Sequence, residues 1–154
     1  NAHPDLWDGG PRHLRAVAGL TLEHLGCTEW KDDAASGPAP SGRLERELVY
    51  TTNDMMERIY QKAMDGRTKR RSLTVAPRIK RVFFGEAQPL CLRGIPSISL
   101  VPLPDYLCQI LPGGGIERLD AEFAHQQIAT FNTALRYLDA LPTADIGRVP
   151  WRPF

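Results

Sequence analysis

Glu23, His24 and Cys27 set a carboxylate, an imidazole and a thiol close together in "TLEHLGC", directly after the apolar run "VAGL". Imidazole nitrogen, carboxylate oxygen and thiolate sulfur are the three donor types that bind zinc. His24 and Cys27 have the spacing H-x-x-C, but no second Cys or His pair with comparable spacing exists to complete a structural zinc site. If residues 17–25 form one strand, alternation puts Thr21 and Glu23 on one face and Leu22 and His24 on the other. Glu23 is then the metal-ligand candidate, and His24 is expected at the edge of the core.

Two more carboxylates are expected to join Glu23. In open α/β sheets, ligands bind beyond the carboxyl ends of the strands. Glu23 ends the first strand, Glu86 follows the strand "SLTV" and its loop, and Asp105 follows the strand "IPSISLV". These three and His24 could converge there, and in a working parent protein Glu23 would bind metal while Glu86 and Asp105 would contact substrate or replace missing ligands.

Other patterns exclude whole classes of chemistry. GxSxG, HExxH, GxxxxGK and GxGxxG do not occur, which removes the serine hydrolase, zincin, P-loop and dinucleotide signatures. His3 and Asp5 have the H-x-D form of many metallohydrolases, yet no apolar strand precedes them, so they read as a loop or helix start. Arg67, Lys69, Arg70 and Arg71, followed by Arg78, Lys80 and Arg81, make one basic cluster. Few aromatic residues accompany it, and 19 basic side chains nearly balance 18 acidic ones across the chain. The cluster reads as a solvated turn, and nucleic acid is not an expected partner. No apolar run nears the ~20 residues of a membrane span, so a membrane is not expected either. Cys27, Cys91 and Cys108 are odd in number and far apart, which suits free thiols better than a disulfide framework.

The elements that must position these groups can be read from periodicity. With 154 residues, the chain is expected to form a single domain over 1–154. The Gly-, Pro- and Ser-rich "AASGPAPSGR" at 34–43 reads as an exposed loop between strands. "ELVYT" at 47–51 is a strand. "TTNDMMERIYQKAMDG" is a helix capped by Thr52 or Asn53, with Met56, Ile59, Tyr60 and Ala63 inward and Gly66 at its end. One or two helical turns are expected over 86–94, ending at Gly94, before the strand at 95–101. The glycines of "LPGGG" at 111–115 supply flexibility rather than a phosphate loop. Asp120 caps the longest helix, whose apolar stripe is Ala121, Ala124, Ile128, Phe131, Leu135 and Leu138. Strands alternating with helices predict an α/β fold, a mixed or parallel sheet flanked by helices.

The order of several pieces resembles the C-terminal half of the two-zinc aminopeptidase family, whose relatives include glutaminyl cyclases and glutamate carboxypeptidases. "AVAGLTLEHLG" is similar to the family strand that ends in an Asp or Glu zinc ligand, a hydrophobic residue and Gly. "FFGEAQPLCLRGIPSISL" resembles the segment that leads from a site loop through a short helix into a "GIP" strand, and "ERLDAEFAHQQIATFNTALRYLDAL" resembles the terminal helix. The resemblance implies a zinc-exopeptidase-like fold, incomplete here, forming the C-terminal part of a larger hydrolase-like domain, with Glu23 as a metal ligand. It also implies a metallopeptidase-like function that is inactive alone, with zinc bound only in a full-length parent. The family's His after the "GIP" strand has no counterpart in "PLPDYLCQILPGGG", and the His-x-Asp, Asp and Glu-Glu ligands belong to an upstream half. An alternative expectation is a non-catalytic interaction or scaffold domain on a degenerate peptidase fold. Either way, one sheet edge is expected to lack its neighbour, with the missing N-terminal half or self-association as the partner.

Overall fold

Residues 15–75, 83, 85–102, 104 and 112–150 are described by the computed structural model. Six strands and three helices alternate through them: β1 (Gly19–Leu22), β2 (Thr28–Asp33), β3 (Gly37–Leu44), β4 (Glu47–Thr51), α1 (Asp54–Ala63), β5 (Ser72–Val75), α2 (Gln88–Leu92), β6 (Ser97–Leu100) and α3 (Ala121–Asp139). Four strands form one sheet in the order β1-β6-β4-β5, while β2 and β3 form a separate hairpin. β1 and β6 are parallel, β4 is antiparallel to β6, and β5 is parallel to β4. The α/β class holds, and the sheet is mixed.

Alternation along the strands assigns the two faces. Val49, Ile98 and Leu100 point into a core with Met56, Ile59 and Tyr60 of α1 and Phe131, Ala134 and Leu138 of α3. Tyr50 points the other way, toward Phe83, Ala87, Cys91 and Val101. Thus α1 and α3 cover one face and α2 the other. Asn53 caps α1, its Oδ1 accepting from Met56 N–H at 2.9 Å, and its amide donates to Ile146 O at 3.1 Å. Asp120 caps α3 by accepting from Phe123 N–H at 2.8 Å. Gly94 follows α2 at φ 72°, as expected of a left-handed helix stop.

Three expectations change. The Gly/Pro-rich stretch is not a loop: residues 37–44 are β3, paired antiparallel with β2, and the loop shrinks to the Asp33 turn. Asp33 Oδ1 accepts from the N–H groups of Ala35 and Ser36 and from the Ser36 hydroxyl, a local closure that lets a proline-containing edge strand form. β1 stops at Leu22, so His24 does not continue its alternation. His24 adopts φ 49° and is exposed rather than at the core edge. Finally, the buried face of α3 is Phe123, Gln127, Thr130, Phe131, Ala134 and Leu138, leaving Ile128 and Leu135 45% and 55% exposed. Two polar residues lie on the core face, which displaced the apparent stripe.

Candidate functional site

Glu23 stands directly after β1, at the end of the sheet where β6 also finishes. Its backbone N–H donates to Leu100 O at 3.1 Å, so the position is fixed by the parallel ladder before the side chain does anything. The half-buried carboxylate then accepts from the backbone N–H of Glu86 at 2.7 Å. Gly85 makes this approach possible. A Cβ there would run into Glu23 Oε1 and come within 2.9 Å of Val101 Cγ2, and its φ of +79° is one that L side chains rarely adopt. Behind Glu23 on the same face, Thr21 donates its hydroxyl to Ser99 Oγ at 2.7 Å.

Glu23 therefore meets the backbone of Glu86, by a route other than the expected one. β4 and β5 run opposite to β1 and β6, so the carboxyl end of β5 lies at the far end of the sheet. Glu86 reaches Glu23 because it stands ahead of α2, which leads back to the start of β6. The contact is made by the Glu86 backbone, while its side chain is exposed. Asp105 lies outside the described residues, as do His3, Asp5, Arg78, Lys80, Arg81, Tyr106 and Cys108.

His24 and Cys27 form a turn rather than a ligand pair. Cys27 is buried and donates its thiol to the backbone carbonyl of His24 at 2.9 Å. Among the described residues, no three His, Cys, Asp or Glu side chains gather closely enough to hold a metal ion. These residues do not by themselves fit a catalytic zinc, which takes three protein ligands and an open position.

The turn after Glu23 is held by a buried polar network that the pattern of apolar residues conceals. Gly26, at φ +76°, packs against α3 so closely that a Cβ would come within 2.9 Å of Ala124 Cβ and 3.0 Å of Asp120 O. Its N–H donates to Gln127 Oε1 at 2.7 Å, and Gln127 Nε2 donates onward to Glu47 Oε1 at 2.9 Å. Glu47, fully buried, also accepts from Arg67 Nη2 at 2.6 Å and from Ser72 Oγ at 2.6 Å. Arg67 donates through Nε to Lys69 O at 2.9 Å and lies over the Phe123 ring. A charged pair this deep is tolerable because its oxygens and N–H groups find partners on α3, on β5 and in the turn between α1 and β5.

Three residues of the basic cluster, Arg67, Lys69 and Arg71, are thus corrected from a solvated turn to ion-paired side chains, while Arg70 is exposed. Arg67 holds Glu47, Lys69 holds Asp120 at 2.7 Å and Glu122 at 3.2 Å, and Arg71 holds Glu29 at 2.6 Å. Hydrogen bonds from Arg71 and then Ser41 pull the Glu29 carboxyl down to about 2. Lys69 lowers the Asp120 carboxyl, and Asp120 in turn raises the Lys69 ammonium. No described helix is long and apolar enough to cross a membrane. Comparison with protein-family models, curated proteins and solved structures finds no match for the chain.

Proposed function

We propose that the chain is the C-terminal part of a metallopeptidase-like hydrolase of the zinc aminopeptidase kind, inactive alone, in which Glu23 is a metal ligand and Glu86 and Asp105 line the substrate side. One observation carries this reading. A carboxylate at the end of a parallel strand pair is held by a backbone N–H, over a glycine that leaves just enough room for it. Such a hydrogen bond stabilises a structural carboxylate as well, and carboxylates that bind metal are oriented by hydrogen bonds of this type. Because the described residues supply no full ligand set, hydrolysis in this reading depends on ligands from an upstream half.

The test joins the chain to its upstream half and assays hydrolysis of aminoacyl amides. The reading expects activity in the joined protein, none in this chain alone, and none after Glu23→Gln. A joined protein that is zinc-loaded yet inert contradicts the catalytic reading, and full activity after Glu23→Gln removes the role of Glu23.

A second reading, an interaction domain on a degenerate peptidase fold, is favoured by apolar surface along β1. Leu22, Ile128 and Leu135 are exposed there beside a groove of about 750 Å³. The upstream sequence discriminates: loss of its His-x-Asp and Glu-Glu ligands supports the second reading.

A further inference from the structure

Among the described residues, β1 is the outermost strand of its sheet, with only one of its edges paired. The N–H groups of Gly19 and Glu23 donate to Pro96 O and Leu100 O of the β6 side at 2.8 and 3.1 Å. Backbone groups of successive residues in a strand point to opposite edges, so Leu20 and Leu22 turn their N–H and C=O out of the sheet. An edge of this kind is a template for another strand. Beside it, α3 presents Ile128 and Leu135, two helical turns apart, on the lip of the same apolar groove.

Charge says what fits. At the start of β1, Arg15, Arg93 and Arg148 line a groove of about 860 Å³ with no carboxylate among the described residues of its wall, and Val17 and Thr143 border both this groove and the apolar one. Asp139 lines the adjoining apolar groove instead. At the other end of β1 stand Glu23 and the exposed Glu86. An acidic strand would suit only the arginine end, and a basic strand only the glutamate end. A second copy of this chain suits both.

We propose that the chain forms a two-fold dimer through antiparallel pairing of β1 with β1 of a second copy. Under a two-fold axis normal to the sheet, the arginine end of each copy meets the glutamate end of the other, twice. The same axis lays the two α3 helices antiparallel, with Ile128 of one beside Leu135 of the other. The two small sheets become one continuous sheet with both β1 edges covered. No metal or reaction enters this inference, and it concerns this chain by itself, since in the hydrolase reading an upstream half would compete for the same edge.

Sedimentation velocity on the whole chain across micromolar concentrations, with amide hydrogen exchange, tests it. The expected mass is twice the 17.2 kDa of one chain, with the Leu20 and Leu22 amides protected in the dimer. Leu135→Glu, at an exposed position, should keep the circular dichroism spectrum and thermal midpoint but yield monomer. Arg15→Glu and Glu86→Arg should each weaken the dimer by at least ~10-fold, since each sets like charges against one another at both ends. The two together in one chain should bring affinity back to within ~3-fold of the parent, a compensation that damage to folding cannot mimic. A monomer at all concentrations, a dimer indifferent to these substitutions, or a doubly reversed chain as weak as the single variants would overturn the proposal. Protection of Leu20 and Leu22 in a monomer would overturn it too, by showing that another segment of the chain covers the edge.

Discussion

Glu47→Ala probes the network that holds the turn after Glu23. In the native chain, the Glu47 side chain is 0% and the Arg67 side chain 3% accessible, so the substitution leaves a guanidinium with its Nη2 donor unpaired in the interior. It also strips the acceptor from Gln127 Nε2 and Ser72 Oγ. Breaking a buried pair by removing one partner costs about 3–5 kcal/mol, several times the value of a surface pair. At about 3 °C per kcal/mol for a chain of this size, the thermal midpoint should fall by ~9–15 °C. Urea unfolding followed by circular dichroism at neutral pH measures the loss directly. Replacing both partners, Glu47→Leu with Arg67→Met, removes the unpaired charge and should recover more than half of it. A cost for Glu47→Ala below about 1 kcal/mol, the range of an exposed pair, would refute the claim that this network is desolvated and strong.

Other substitutions and conditions separate the remaining claims. Gly26→Ala should cost about 2–4 kcal/mol in the same assay, because the left-handed backbone penalty adds to overpacking against Ala124 and Asp120 O. Gly85→Ala should leave β1 and β6 paired but push the Glu23 carboxylate off the Glu86 N–H, visible as faster exchange of that amide; an unchanged amide would mean that the glycine is not needed there. The Glu29 carboxyl is lower in the folded chain, about 2 against an ordinary 4.5, so it contributes stability above pH 4.5 that is lost as pH falls toward 2. Asp120 acts in the same direction, and Glu29→Gln should flatten the acid limb of a stability-versus-pH curve. Burial pushes the Cys91 thiol up to about 11, so peptide mapping after iodoacetamide treatment at neutral pH should find Cys91 unmodified in the native chain and modified in urea.

Much of the fold was readable because its signals are local. Asp120 caps α3 from the position that sequence alone identifies, Asn53 is one of the two residues it offers for α1, and Gly94 stops α2 where a left-handed residue is required. Glu23 was legible as a strand-end carboxylate, whereas its contact with Glu86 comes from the backbone ahead of α2 and not from the strand-end rule, which places the carboxyl end of β5 at the far end of the sheet. What remained hidden depends on contacts distant in sequence. Gln127 and Thr130 look like solvent-facing residues in a helical pattern, yet Gln127 is buried because it joins Gly26 to Glu47 across 101 and 80 positions of chain. Glu47 opens an apolar strand and gives no sign that Arg67 will reach it. β3 was hidden for the opposite reason. Its glycines and prolines signal a loop, and only pairing with β2, anchored by Arg71 to Glu29 and to Leu44 O, makes it a strand.

The proposed role of Glu23, as one ligand of a zinc completed from upstream, is tested most directly by zinc content measured alongside the thermal midpoint. The chain alone and the chain joined to its upstream half would each be analysed by elemental analysis, then melted with added zinc and with chelator. Stoichiometric zinc is expected in the joined protein, with a stabilisation of about 2.7 kcal/mol at a hundred times the dissociation constant that chelator abolishes. For the chain alone neither zinc nor shift is expected. A joined protein without zinc, or one whose zinc is unaffected by Glu23→Gln, would contradict that role.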